Sequence, residues 1–137
     1  MHLRYALFVV ICGCLCYYVG RKGAETMAGD IIWYVTMFGC AALFVGIGVY
    51  AKRLEKPMWF WSGSEVNPAD ITDVKAYNRE NARMWIGYSL WYWAAGVLWI
   101  WNNGAGLAAL IASCSVGIAI LIGTYLKIEK KYKKIGQ

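Results

Sequence analysis

The sequence is poor in the residues on which most catalytic sites depend. Only 16% of its 137 residues are charged, and its single histidine is His2. Serine–histidine and cysteine–histidine nucleophiles need a histidine within a built site, and no other histidine is available to form one. The sequence also lacks a glycine-rich phosphate loop and a set of spaced metal ligands. It therefore predicts a protein that is not an enzyme and that holds no cofactor and no metal.

The five cysteines do not predict redox or metal chemistry. Cys12, Cys14 and Cys16 lie in one apolar run. On a helix, Cys12 and Cys16 share a face while Cys14 points away, so the three thiols cannot converge on one metal ion. Cys40 and Cys114 stand alone in other apolar runs. We expect all of them to be small packing residues.

Charge is absent from four long apolar runs, which are residues 5–20, 31–51, 84–101 and 105–126. With 60% hydrophobic residues, the chain has more apolar surface than a soluble domain of this size can bury. The run 5–20 follows Arg4 as in a signal peptide, but no cleavage site of the A-x-A type follows it. We therefore predict an all-α polytopic membrane protein with four transmembrane helices in two antiparallel hairpins.

The distribution of Lys and Arg predicts the orientation of these spans. Four spans place the N-terminus, the stretch between the hairpins and the tail on one side, with 1, 6 and 5 basic residues. The first loop holds 2 and the turn 102–104 holds none. The positive-inside rule then predicts a bacterial cytoplasmic (inner) membrane protein with both termini cytoplasmic. Because the basic residues flank apolar runs, we expect anionic lipid headgroups rather than nucleic acid as their partners.

The stretch 57–83 is the main water-compatible part of the chain. Trp59 and Trp61 follow Pro57 and are suited to the headgroup layer, where aromatic rings are favoured. Asn67 and Pro68 form a helix-start signal, an N-cap followed by proline at the first position. No further Gly or Pro occurs before residue 87. The sequence thus predicts an amphipathic cytoplasmic linker helix over 68–83 that continues into the third span.

One face of this linker helix is predicted to be basic. Lys75, Arg79 and Arg83 recur every fourth residue, and Tyr77 and Asn81 fall on roughly the opposite face. Solvation of the helix is the simpler explanation for Asn78 and Asn81, which are poor helix formers. The tail, 127–137, is polybasic and is attracted to anionic lipid. The candidate surface for headgroups or a partner protein comprises Trp59, Trp61, Lys75, Arg79, Arg83, Lys130 and Lys131.

The third and fourth runs carry signals of packing. Trp91, Tyr92 and Trp93 fall in the middle of the third span, and they form either an aromatic face for a flat or cationic ligand or ordinary packing. The turn 102–104 predicts a tight connection. Ala105 and Ala109 belong to a stripe of small residues spaced by four, which predicts close helix packing against bulky partners. The stripe continues through Ser113 and Gly117.

The block FWSGSEVNPADITDVKAYNRENARMWIGYSL resembles a group of small uncharacterised bacterial multi-pass membrane proteins. In that group an aromatic-glycine turn ends one span, and a short charged helix with Tyr, Asn and Arg leads into the next. The matching residues here are Trp61, Ser62, Gly63, Asp73, Val74, Tyr77, Asn78 and Arg79. In size and topology the chain is also similar to SdpI-type immunity proteins, which protect bacteria from a secreted peptide toxin. The resemblance implies topology rather than an activity.

Three functional hypotheses follow. The first is a small membrane interaction protein, acting in immunity or signalling, whose linker helix and tail meet lipid headgroups, a protein partner or a second copy of the chain. The second is a ligand-binding or transport component that uses the aromatic face of the third span. The third, ranked last, is a membrane-embedded enzyme. Asp, Glu, Lys, Arg and His are absent from all four runs, which disfavours a proton-coupled or ion-coupled transporter.

Overall fold

The computed structural model describes residues 27–59 and 66–134, and these residues are largely helical. Three long helices follow one another, namely α1 (Met27–Arg53), α2 (Val74–Trp101) and α3 (Asn103–Tyr132). Apart from one β-bridge between Ile71 and Lys133, the described ranges contain no strand. The all-α class is thereby confirmed for this part of the chain.

Of the helices in the described ranges, α1 and α3 are long and apolar enough to cross a membrane. Only 22% and 28% of their apolar windows are buried, unlike the mostly buried core helix of a soluble protein. Helix α2 does not meet the same hydropathy criterion, because the 84–101 segment is rich in Trp and Tyr, whose polar groups lower its mean hydropathy. The predicted span 5–20 lies outside the described residues.

The described residues form two compact units, and each long helix contributes to both. The first unit contains residues 27–42 and 90–118, and the second contains 43–59, 66–89 and 119–134.

The first unit has an apolar core built on a stacked tryptophan pair. The rings of Trp33 and Trp99 lie 4.0 Å apart with an interplanar angle of 20°. The indole N–H of Trp99 donates to the carboxylate of Asp30 over 2.8 Å, so its polar atom is satisfied. The buried members of this cluster are Trp33, Met37, Ala95, Trp99, Ala109 and Leu110.

Small residues of α3 allow this close packing. A Cβ on Gly106 would lie 3.0 Å from the carbonyl oxygen of Ala95 and 3.0 Å from the Cβ of Trp99. Ala109 packs in the same cluster as Trp99, so the predicted contact between the small stripe and bulky side chains is confirmed there. The stripe enters a π-helical turn at Ser113–Gly117, which joins the α-helical parts Asn103–Ala112 and Ile118–Tyr132.

The connection between α2 and α3 is a single residue, Asn102. Its side-chain oxygen accepts a hydrogen bond from the N–H of Ala105 over 3.1 Å and so caps the first turn of α3. The predicted tight connection is confirmed, although Asn103 and Gly104 already belong to the helix.

The second unit brings α1 and α2 together at Gly48. A Cβ there would lie 2.8 Å from the carbonyl oxygen of Ala82 and 2.7 Å from the side chain of Ile86. Ala42 and Gly46 are also small and four residues apart, which predicts a close approach of another helix backbone to their face of α1. Both residues are exposed. Two residues turn a helix by about 200°, so Gly46 lies on the face opposite Gly48, and Ala42 shares the face of Gly46.

The prediction of one continuous helix over 68–83 is wrong for residues 68–73. The chain forms a 3-10 helix, Pro68–Asp70, capped by the side chain of Asn67, and then becomes extended at Ile71. Helix α2 begins only at Val74, where the carboxylate of Asp73 accepts from the N–H of Ala76 over 2.9 Å. Two competing caps therefore divide the segment. From Val74 onwards the helix does continue to Trp101, as the sequence predicts.

Candidate functional site

Among the described residues, charge is concentrated in the second unit. The first unit contributes one charged side chain, Asp30, at the start of α1. The described basic residues of the second unit are Lys52, Arg53, Lys56, Lys75, Arg79, Arg83, Lys127, Lys130, Lys131, Lys133 and Lys134. A surface that meets an anionic partner must therefore be sought there.

The three helices change from apolar to charged at a common level within this unit. Going outward from the apolar runs, the first basic residues are Lys52 on α1, Arg83 on α2 and Lys127 on α3. Ala51 and Ala82, the neighbours of two of these residues, pack in one cluster. The position of α3 relative to α2 is given by the ion pair between Lys131, one turn beyond Lys127, and Glu80. The three boundaries thus coincide to within about one helical turn.

The basic ridge of α2 is exposed. Lys75, Arg79 and Arg83 all point to the outside, whereas Tyr77 and Asn81 are buried on the other face. The two ion pairs found among the described residues, Lys131–Glu80 and Lys133–Glu129, do not include the ridge.

Asn78 is not a solvated residue, and its predicted exposure is wrong. The side chain is 1% exposed and makes three hydrogen bonds to the loop that follows α1. Its Oδ1 accepts from the N–H of Met58 over 2.8 Å, and its Nδ2 donates to the carbonyls of Leu54 (3.0 Å) and Lys56 (2.8 Å). Asn81 is buried as well and donates to the carbonyl of Tyr77 over 3.0 Å. Asn78 thereby satisfies three backbone groups that have no helix to bond to.

The loop held by Asn78 presents a tryptophan. Pro57 and Met58 are buried, and Trp59, the next residue, is 50% exposed. An amphipathic ring that is exposed in this way is suited to a membrane interface, and the role of Trp59 as an interfacial anchor stays a prediction. Trp61, the second predicted anchor, lies outside the described residues.

Two tyrosines meet below this loop. The hydroxyl of Tyr77 donates to the carbonyl of Met58 over 3.3 Å and lies 3.5 Å from the hydroxyl of Tyr125. Burial raises the pKa of Tyr77 above its ordinary value, because the phenolate would be poorly solvated there. Tyr77 therefore remains a protonated hydrogen-bond donor at physiological pH.

The start of the polybasic tail is docked on α2 through Glu80. The carboxylate accepts from Lys131 Nζ (2.6 Å) and from the Tyr132 hydroxyl (2.9 Å). The hydrogen bond from Lys131 is the main cause that lowers the pKa of Glu80, and the bond from Tyr132 adds to it against partial desolvation. Lys130, by contrast, is exposed and takes part in neither ion pair.

Backbone hydrogen bonds complete this docking. The N–H of Thr72 donates to the carbonyl of Tyr132 over 2.9 Å, and the N–H of Lys134 donates to the carbonyl of Asp70 over 2.9 Å. Together with the bridge between Ile71 and Lys133, these bonds hold the segment between the 3-10 helix and α2 against the end of α3.

The three aromatic residues of the proposed ligand face point in different directions. Successive helix positions are about 100° apart. Tyr92 packs against the core cluster of the first unit, and the ring of Trp93 lies 5.2 Å from that of Phe38. Trp91 is half-buried. A ligand at this place stays a prediction.

Sequence reasoning missed the polar residues that organise the second unit. The sequence places Tyr77 on the packed face but predicts no hydrogen bond for it, and it predicts no role for Glu80 or Tyr132. The available signal was the pair of asparagines within a helix that also packs, because an unfavourable residue retained in a helix often has a specific partner. The described residues contain no group of three or more His, Cys, Asp or Glu side chains placed to hold a metal ion.

Comparison with known proteins adds no relative. No family model matches the chain, and no match was found among curated proteins or among solved structures.

Proposed function

We propose that the chain is a four-span protein of the bacterial cytoplasmic membrane that works as a small interaction protein, as an accessory to immunity or signalling. Its spans form two hairpins, and both termini and the polar part of the second unit lie in the cytoplasm. The surface that meets headgroups or a partner protein is built from the ridge of α2, the Trp59 loop and the docked tail.

The coincidence of the three charge boundaries supports this proposal most directly. Water surrounds a soluble protein on all sides and does not require the charged parts of three helices to begin at the same height. A bilayer does require it, because its surface separates apolar from charged residues on every helix that crosses it. The uncharged stretch of α1, residues 31–51, would measure about 30 Å at 1.5 Å per residue. That length matches a hydrocarbon core of about 30 Å.

The aromatic α2 belongs among the proposed spans although its mean hydropathy is low. Its segment 84–101 carries no charge, and Gly48 and Gly106 bring it close to α1 and α3 respectively. Trp and Tyr reduce mean hydropathy but are common where a span meets the headgroup layer.

The direction of insertion rests on the basic residues. The proposed cytoplasmic side holds 12 of the 14 Lys and Arg residues, obtained as 1 + 6 + 5 from the three segments on that side. The positive-inside rule favours this orientation over its inverse.

Reporter fusions test the topology. A fusion after Asp30 is expected to be active with a periplasmic reporter, and a fusion at Gln137 with a cytoplasmic one. Periplasmic activity at Gln137 would overturn the orientation.

Replacement of three charges tests the interaction surface. The triple variant Lys75→Gln, Arg79→Gln, Arg83→Gln is expected to insert normally but to lose capture of the partner or the cellular phenotype. Lys52→Gln, Arg53→Gln, Lys127→Gln is the matched control with the same charge change at exposed positions outside the ridge. Equal behaviour of both variants would show that the ridge has no special role.

A further inference from the structure

We propose that Lys56, Lys75 and Arg79, together with the ring of Trp59, bind the phosphodiester headgroup of an anionic phospholipid, and that Asn78 is the positioning residue of this site. The inference rests on the proposed function, since it needs the second unit to lie at the cytoplasmic headgroup layer. It deepens that function by assigning one class of ligand to one part of the surface.

Asn78 brings the loop and the helix together. Its amide nitrogen lies 2.8 Å from the carbonyl oxygen of Lys56, and its amide oxygen lies 2.8 Å from the N–H of Met58. Lys75 stands one helical turn before Asn78, and side chains three residues apart are neighbours on a helix surface. Arg79 follows Asn78 directly and stands four residues after Lys75. Asn78 is therefore bonded to the backbone of Lys56, and Lys75 and Arg79 are its near neighbours along α2.

Within residues 27–59 and 66–134, no carboxylate forms an ion pair with these cations. All three are exposed, and among the described residues the ion pairs of Glu80 and Glu129 are made with Lys131 and Lys133 instead. The planar guanidinium of Arg79 can donate two parallel hydrogen bonds to phosphate oxygens, and the lysines can add charge-assisted bonds. The arrangement suits a phosphodiester.

Trp59 favours a lipid over a free phosphate. It follows Met58, whose N–H is held by Asn78, and half of its surface is exposed. A tryptophan ring gains from the boundary between headgroups and acyl chains, whereas it offers nothing to a small, fully hydrated anion.

Lipid retention tests the site. The full-length protein is reconstituted in vesicles of phosphatidylcholine and phosphatidylglycerol in equal amounts and mildly solubilised. The two lipids that co-purify are then counted by mass spectrometry. The wild-type protein is expected to enrich phosphatidylglycerol. Lys56→Gln, Lys75→Gln, Arg79→Gln is expected to lower that enrichment by about tenfold, and the control Lys52→Gln, Arg53→Gln, Lys127→Gln by about twofold or less.

A second variant separates position from charge. Asn78→Ala keeps all the cations but releases the loop, so the enrichment is expected to fall by about threefold. Equal losses in the two triple variants would overturn the site, as would wild-type enrichment in a folded Asn78→Ala protein. If Asn78→Ala does not fold, the two triple variants decide. A periplasmic reporter signal at Gln137 would instead defeat the proposed function itself.

Discussion

The two compact units differ in the contacts that their buried side chains make. The core of the first unit is apolar, with the stacked Trp33 and Trp99 packed against small residues of α3. The first unit buries the polar side chain of Ser113, which donates to the carbonyl of Leu110 in its own helix. In the second unit, the buried side chains of Asn78 and Tyr77 bond instead to the backbone of the loop that follows α1. The first unit depends on van der Waals packing, which is how helices associate in lipid. The second depends as well on hydrogen bonds whose loss leaves buried backbone groups unsatisfied.

The largest expected loss of stability comes from a substitution in the apolar core of the first unit. Trp99→Ala removes one ring of the stacked pair and the bond to Asp30, and we expect a loss of about 4 kcal/mol in the free energy of unfolding. Denaturant titration in mixed micelles measures it. Trp101→Ala is the control, since that ring is 75% exposed, and it should cost less than about 1 kcal/mol. Similar losses in the two variants would contradict the apolar core.

The next largest loss of stability is expected from removal of the buried polar contacts of the second unit. Asn78→Ala leaves the N–H of Met58 and the carbonyls of Leu54 and Lys56 without their partner, and we expect a loss of about 3 kcal/mol. The same titration measures it. Asn81→Ala, which removes one bond to a carbonyl of its own helix, should cost about 1 kcal/mol. A smaller loss for Asn78→Ala than for Asn81→Ala would show that the loop is not held by Asn78.

A pair of glycine variants sharpens the comparison at the contact between α1 and α2. Gly48→Ala should cost about 2 kcal/mol, because the new methyl group would meet the carbonyl oxygen of Ala82. Gly46→Ala should be neutral or stabilising by up to about 1 kcal/mol, since nothing lies within 4 Å and alanine favours the helix. Thermal unfolding of both variants tests this expectation, and the reverse order would place the contact on the other face of α1.

The smallest effect concerns the docked tail. The folded pKa of Glu80 is lowered, so the stabilisation is complete above the unfolded value of about 4.3 and is lost as pH falls through the folded pKa. Glu80→Gln should abolish this pH dependence and should lower the Tm at neutral pH by about 2 °C or less, since exposed ion pairs contribute little. Thermal unfolding from pH 3 to pH 7 measures both, and an unchanged acid limb would exclude Glu80 as its source.

Sequence patterns predicted the features that depend on periodicity. The apolar runs predicted α1 and α3, and the small stripe predicted the packing of Ala109 near Trp99. The spacing of four residues between Lys75, Arg79 and Arg83 predicted an exposed basic face of α2. These signals are local, since they follow from helix geometry alone.

Features that depend on a distant partner were not predictable. Asn78 bonds to residues 20 to 24 positions earlier in the chain. Its occurrence within a helix can indicate a specific partner, but the local sequence does not show which backbone groups it binds. The extended break at Ile71 coincides with its bridge to Lys133 near the end of α3. The position of Gly48 rather than Gly46 in the contact depends on the rotation of α1 about its axis, which composition does not determine.

Labelling from each side of the membrane tests the central claim, which is that the charged level of the second unit is the cytoplasmic membrane surface. A single cysteine placed at Arg79, in a variant without the native cysteines, is treated with a membrane-impermeant maleimide. It should react in inverted membrane vesicles and not in intact spheroplasts, while a cysteine at Asn103 should show the opposite pattern. Reaction of the cysteine at position 79 in intact spheroplasts would contradict the claim.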